Sequence, residues 1–243
     1  MRTIVVSGAA GGLGAALARR FSSEPGTRLV LTDLDISGLR RVATDLEEDV
    51  ELVLVAGDVC DPASMENVVG EAVDRFGTLD VMINNAGILS PNARLHNVTP
   101  EQWERVISVN LLGVVNGMNA ALRVMRPQRT GSIVNTASVA GISAWPYSAP
   151  YGAAKAAVIH LTRIAAVEYA GEGIRVNCVC PGLFSSGMTS DVPAEALAAV
   201  TARHPLGAGT TDDLVGAYSY LASDDSRWTT GHAFIVDGGY SAP

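Results

Sequence analysis

Seven short β-branched runs separated by longer amphipathic stretches predict a doubly wound α/β fold for this 243-residue chain, with about seven parallel strands and helices on both faces. Three observations carry that expectation. The runs are apolar nearly throughout, as strands buried on both faces are. Run and stretch alternate along the chain, which right-handed crossovers wind into one sheet. The composition, 48% hydrophobic against 17% charged, suits a large buried core. No linker, low-complexity tract or internal repeat interrupts the alternation, so a single domain over residues 1–243 is expected.

In chain order, strand Thr3–Ser7 runs through a glycine-rich turn into the alanine- and leucine-rich helix Leu13–Ser22. Strand Arg28–Thr32 precedes helix Ser37–Glu47, and strand Glu51–Ala56 precedes helix Ala63–Phe76. Strand Leu79–Asn84 leads to the long helical pattern Glu101–Met125, and strand Gly131–Thr136 to helix Ala149–Ala170. Strand Arg175–Val179 is followed by a loop, helices Ala194–Ala202 and Thr211–Ala222, and a last strand, Ala233–Val236.

A net charge of −8 argues against nucleic acid or an anionic membrane as partner, since both recruit basic patches. Cys60, Cys178 and Cys180 are an odd set with no disulfide framework, which suits a reducing cytoplasm. Cys178-x-Cys180 reads as two small apolar residues on a buried strand; no histidine pair shows ligand spacing, and no metal is expected. Thr3–Ala18 imitates a signal peptide, being uncharged, preceded by Arg2 and ended by Ala16-Leu17-Ala18. Four glycines interrupt it, however, and no apolar run approaches the ~18 residues that span a bilayer. A soluble cytoplasmic protein is expected.

The first strand-to-helix turn is Ser7-Gly8-Ala9-Ala10-Gly11-Gly12-Leu13-Gly14. Glycines there let the backbone approach a pyrophosphate resting on the helix N-terminus. Gly8, Gly12 and Gly14 fit G-x3-G-x-G, Gly8, Gly11 and Gly14 fit G-x2-G-x2-G, and G-x-G-x-x-G fails at Leu17. Nineteen residues beyond Gly14, strand two ends in Asp33, placed to accept from an adenosine ribose. It would repel a 2′-phosphate, since like charges about 4 Å apart cost a few kcal/mol at an effective dielectric near 20. NAD rather than NADP is the expected cofactor. Asp58-Val59, after strand three, either meets the adenine edge or supplies a helix-capping aspartate.

Sixteen arginines accompany a single lysine, Lys155, four residues after Tyr151 and therefore on the same helix face. Gly8-x3-Gly12-x-Gly14, Asn84-Asn85-Ala86-Gly87, Ser138, Tyr151-x3-Lys155 and Pro181-Gly182 occur in an order that resembles the short-chain dehydrogenases/reductases, over nearly the whole chain from Thr3 to Asp237-Gly238-Gly239. Length and Asn-Asn-Ala-Gly resemble the shorter branch, which settles the glycine spacing as the first pattern and implies a Rossmann-type sheet.

The resemblance implies Tyr151 as acid/base, Lys155 as its partner and ribose ligand, Ser138 as holder of the substrate oxygen, and Asn110 as support of a water chain to the lysine. Chemistry agrees: a tyrosine of pKa about 10 is too weak an acid to serve as a base near neutrality. Lowering it by about three units needs roughly 4 kcal/mol, which one ammonium about 4 Å away supplies at an effective dielectric of 20. Arginine's fork would bring the charge with the wrong shape.

Leu13 in the glycine turn belongs to the implied dinucleotide set, as do Asn84, Asn85, Ala86 and Gly87 after strand four. Pro181-Gly182-Leu183-Phe184-Ser185-Ser186-Gly187-Met188 resembles P-G-x-V-x-T-x-M, with Phe184 for Val and Ser186 for Thr; Ser186 keeps the hydroxyl, while Phe184 either crowds the pocket or packs outward.

Ile88, Leu89, Ala140, Trp145, Tyr147, Phe184 and Met188 fall where substrate is expected, with a lid around residues 184–206. Their apolar character implies a hydrophobic secondary alcohol or ketone, an expectation that Arg94 or Arg203 would overturn. His204 reads as a loop surface residue. Related proteins pair helices Glu101–Met125 and Ala149–Ala170 between subunits, implying a homotetramer, with the C-terminal Tyr240 segment approaching a neighbour. Two other readings remain: an NADPH-linked ketoreductase of carrier-bound acyl chains, and a non-catalytic dinucleotide sensor.

Overall fold

A computed structural model describes residues 1–187 and 194–242. Strands β1 (Arg2–Ser7), β2 (Thr27–Asp33), β3 (Glu51–Ala56), β4 (Val81–Asn84), β5 (Gly131–Thr136), β6 (Ile174–Pro181) and β7 (Ala233–Val236) form one sheet in the order β3-β2-β1-β4-β5-β6-β7. Every pairing is parallel, with Val5 opposite Val30 on one side and Met82 on the other. The order reverses at β1, so a crevice opens between the carboxyl ends of β1 and β4, where such sheets bind ligands.

The helices are α1 (Gly12–Ser22), α2 (Ile36–Ala43), α3 (Pro62–Phe76), α4 (Pro100–Ile107), α5 (Gly113–Gln128), α6 (Ala149–Tyr169), α7 (Ala194–Thr201) and α8 (Asp212–Ala222). Strand alternation assigns them to faces. Val5, Val30, Met82, Ile133, Val176 and Cys178 point to the core under α3, α5 and α6. Ile4, Val6, Leu29, Leu31, Ile83, Val134 and Val179 point to the other, under α1, α2 and α8. Cys178 and Cys180 thus lie buried together as thiols on one strand face.

Helix starts follow local chemistry. Asp61 caps α3 by accepting from Ala63 N, with Pro62 in the first turn. Thr99 and Gln102 make a capping box on α4.

The long helix expected over Glu101–Met125 is instead interrupted by a π turn at Ser108–Leu112. Asn110 causes a local rearrangement of bonding there: its carboxamide donates to Val106 O (3.0 Å) and Ile88 O (3.0 Å) and accepts from Ile88 N (3.2 Å). Pro100–Gln128 is long and apolar enough to cross a membrane, yet half of its apolar window is buried in the protein, where it packs on α3 and α6 as a core element. The signal-peptide-like Thr3–Ala18 is spent on β1, the glycine turn and most of α1.

Candidate active site

The dinucleotide side grows from sterics. Gly12 holds φ +54, a left-handed conformation, whereas Gly11 is extended at φ −175 and a methyl there would touch nothing within 4 Å. A methyl on Gly14 would lie 2.0 Å from Gly8 O. Gly8, Gly12 and Gly14 therefore carry the turn, matching the first of the two spacings read in the sequence. Gly8 packs on the Ala86 backbone. The first N–H groups of α1, including that of Leu13, have no intrahelical acceptor and face an anion-binding end.

Side chains then lock this turn. Asp33 accepts from Ala10 N (3.0 Å) and Asp35 N (3.1 Å), joining the end of β2 to the glycine turn. Ser7 Oγ accepts from Asn85 N (3.0 Å) and Ala86 N (3.2 Å), and Asn85 Nδ2 donates to Ser7 O and Gly8 O. Ser7 was not anticipated as part of the site; its signal was its place at the end of β1.

Asn84 serves the core instead, donating to Asn135 Oδ1 (2.8 Å) within a buried chain that continues to Thr162. Asp58 accepts from Cys60 N (2.8 Å), and the cap of α3 is Asp61. Val59 packs beside Gly113 and accepts from Asn116 through its carbonyl. Ser186 comes beside the turn, 3.8 Å from where a Gly12 methyl would stand. Gly182 packs against Asp237 after buried Pro181. Phe184 bridges to Gly209 and packs against the α1–α8 core, so it points neither outward nor freely into the crevice. These residues fit a dinucleotide: a backbone cradle closed to a Cβ at Gly8 and Gly14, an anion-receptive helix end and the acceptor Asp33 at the end of β2.

The chemical side lies on α6 and the end of β5. Tyr151, Lys155, Val158 and Thr162 share the inward face of α6. Ser138 follows β5 with its Oγ accepting from Ala140 N (3.1 Å), and its side chain lies close enough to Tyr151 to lower that residue's pKa. Lys155 is 2% exposed and its ammonium donates to Thr136 O at 2.7 Å. Burial brings its pKa down to about 8. Asn110 and Lys155 both border Gly87, where a methyl would stand 2.8 Å from Asn110 Oδ1 and 3.7 Å from Lys155 Nζ.

Burial pushes the Tyr151 hydroxyl up from its ordinary pKa, opposed by the Ser138 side chain. The Lys155 ammonium sits 5.6 Å from the Tyr151 ring centre and donates to the Thr136 carbonyl.

Around the mouth, Ile88 is half-buried beside Asn110, and Ala140 is buried in the turn after Ser138. Tyr147, at φ +64, is exposed; it shares an open cavity of about 560 Å³ with Arg94, Leu95, His96 and Pro146, and its carbonyl accepts from Ala93 N. Trp145 packs edge-on to Tyr240, 5.9 Å between ring centres. Met188 lies outside the described residues.

His204 is not a surface residue: it is 4% exposed, its Nε2 accepts from Leu183 N (2.9 Å) and its Nδ1 bonds to Val200 O. That arrangement requires the neutral Nδ1–H tautomer. Tyr240 likewise folds into its own chain, 6% exposed and against His204.

Comparison with known proteins agrees with this geometry. A family profile described as "Enoyl-(Acyl carrier protein) reductase" matches residues 8–241. Cis-4-hydroxycyclohexanecarboxylate dehydrogenase of Sinomonas cyclohexanicum is 41% identical over 243 residues, covering 99% of this chain and 97% of that protein. "Borneol dehydrogenase, mitochondrial" of Lavandula x intermedia is 39% identical, covering 99% and 90%. The crystal structure of levodione reductase superposes with a TM-score of 0.94 at 33% identity, covering 99% and 98%. A structure described as "ElxO with NADP Bound" gives 0.92 at 31%, covering 100% and 99%. A parallel seven-stranded sheet, a glycine cradle at its switch point and a Ser–Tyr–Lys cluster beside it, together with these likenesses, establish that the chain belongs to the short-chain dehydrogenases/reductases, oxidoreductases that interconvert secondary alcohols and ketones with a nicotinamide dinucleotide.

Proposed function

We propose that the protein is an NAD-linked dehydrogenase of apolar, cyclic secondary alcohols, acting as one domain whose segment 184–206 covers the substrate. The observation that carries this reading is the buried Lys155 ammonium one helical turn from Tyr151, with the Ser138 side chain beside the tyrosine. A bound dinucleotide supplies the hydride acceptor. Gly8, Gly12, Leu13, Gly14, Asn85, Ala86, Gly87, Pro181, Gly182, Phe184 and Ser186 would hold it, with Asp33 toward the adenosine ribose and Asp58-Val59 toward the adenine.

In oxidation Ser138 Oγ donates to the substrate oxygen and aligns it with Tyr151 Oη, which takes the hydroxyl proton. Lys155 would hold the ribose hydroxyls of a bound dinucleotide, and its positive charge stabilises the Tyr151 phenolate; Asn110, held by Ile88 and Val106, keeps a water path open behind it.

The choice of NAD rests on Asp33, whose carboxylate faces the glycine turn with no cation bonded to it among the described residues. Cyclic alcohols are favoured by the names of the two curated relatives and by Ile88, Ala140 and Trp145 at the mouth. The acidic chain is assigned to the cytoplasm as a homotetramer, to be checked by sedimentation. A panel of secondary alcohols with NAD or NADP, followed at the reduced-nicotinamide absorbance, tests the activity. Tyr151→Phe is expected to lower kcat by about 10²–10⁴ while dinucleotide binding stays intact; equal rates would refute the mechanism.

A further inference from the structure

Three segments far apart in sequence meet at the carboxyl end of the sheet: the loop between Ser138 and Tyr151, the end of α7, and the C-terminal turn. Asp237 holds that turn, accepting from Gly239 N, Ser241 N and Ser241 Oγ. Tyr240 is thereby presented to Trp145, to His204 with ring centres 4.7 Å apart, and to the Arg203 guanidinium 4.6 Å from its ring centre. Through its bond to Leu183 N, His204 ties this wall to the segment after β6 that borders the dinucleotide cradle.

Within the wall two polar atoms, Trp145 Nε1 and Tyr240 Oη, are shielded from solvent and have no hydrogen-bond partner. The other such atoms are threonine hydroxyls on β1 and β2, away from this wall. Here two donors from different segments stand on touching rings. Indole N–H can only donate, and a buried donor without an acceptor carries its full desolvation cost. What satisfies both at once is a group with two acceptor oxygens. The cation over the Tyr240 ring strengthens its O–H as a donor and sets the sign of the field.

Resting on the alcohol-dehydrogenase reading of this cleft, we propose that Trp145 and Tyr240 form a specificity subsite for a carboxylate carried by the substrate at the end away from its hydroxyl. The substrate class is then a cyclic hydroxy acid rather than a plain apolar alcohol, with Arg203 supplying charge from the rim.

The test compares three probes, 4-hydroxycyclohexanecarboxylate, its methyl ester and cyclohexanol, on the wild type and on Trp145→Phe, Tyr240→Phe and Arg203→Gln. Wild type is expected to prefer the acid over the ester. Each Phe variant is expected to lose about tenfold in kcat/KM for the acid, mainly through KM, with the ester changed less than about threefold. Arg203→Gln, at an exposed position that leaves the fold untouched, is expected to show a smaller loss confined to the acid and abolished by high salt. Acid and ester falling together in every variant, or neither falling, overturns the subsite while cyclohexanol turnover leaves the alcohol reading standing. A wild type that oxidises none of the three probes with either dinucleotide removes that reading and the subsite with it.

Discussion

The glycine-turn side of the cleft and the Tyr151–Lys155 side rest on opposite physical terms. On the first, Asp33, Ser7 and Asn85 spend their polar atoms on neighbouring backbone, and the constraint is space: a Gly14 methyl would stand 2.0 Å from a carbonyl oxygen. On the second, charge is not at ease. A cation is buried to 2% exposure against a neutral carbonyl, and burial pushes the tyrosine beside it away from ionising. The dinucleotide side therefore stabilises the fold as it stands, whereas the chemical side holds groups whose unfavourable burial is relieved when charge arrives in the cleft.

The contrast breaks most sharply at Gly14. Gly14→Ala forces the turn apart and is expected to destabilise the protein by about 3 kcal/mol or more, at the upper end of overpacking costs. At ~2–4 °C per kcal/mol for a protein of this size, the melting temperature falls by roughly 6–12 °C. Gly11→Ala is the control: its backbone is extended and its surroundings open, so the unliganded fold should keep its melting temperature within about a degree. Matching losses for the two variants would show that the turn is not sterically fixed.

Lys155 reverses the sign. Unfolded, a lysine titrates near 10.5; folded, this one titrates near 8. Between those values the unfolded chain binds more protons, so the residue's contribution to stability improves as pH rises through that window, and its full penalty is present below pH 8. Lys155→Met is therefore expected to raise stability at pH 7 by about 1–3 kcal/mol, with turnover lost. The advantage should shrink between pH 8 and 10.5. Lys155→Arg keeps the charge and so the penalty; it should retain fold and dinucleotide binding yet lose most turnover, because a fork replaces a compact donor. Thermal melts at neutral and alkaline pH decide the matter, and a less stable Met variant at pH 7 would sink it.

The same division explains what the sequence made legible. Sheet and cradle are written in apolar runs and glycine positions, which sterics translate almost directly into β1, the turn and α1. The Ser138–Tyr151–Lys155 set was readable from spacing because α6 puts positions 151 and 155 on one face. What escaped depends on where side-chain polar atoms find partners. Asn110 sits at a π turn in a helix whose periodicity reads as continuous, His204 leaves its loop to hold Leu183 N, and Lys155 donates to the Thr136 carbonyl. None of these leaves a trace in hydrophobic period. Tyr240, three residues from the end of the chain, is buried against its own chain by the turn that Asp237 holds.

The smallest expected effect sits at Asp33, where both sides of the comparison meet in one carboxylate. As a staple it joins Ala10 and Asp35 to the end of β2; as a charge it opposes a 2′-phosphate. It is half-exposed, so solvent screens the repulsion well below the roughly 4 kcal/mol of two charges about 4 Å apart at a dielectric of 20. Asp33→Asn keeps one acceptor oxygen, gives up one of the two backbone bonds of the turn and removes the charge. The ratio of kcat/KM for NAD over NADP should then fall about tenfold, by less at high salt, with the melting temperature lowered by a few degrees through the lost bond. A lower melting temperature with an unchanged ratio would place Asp33 wholly on the steric side, a staple of the turn whose charge does not choose the cofactor.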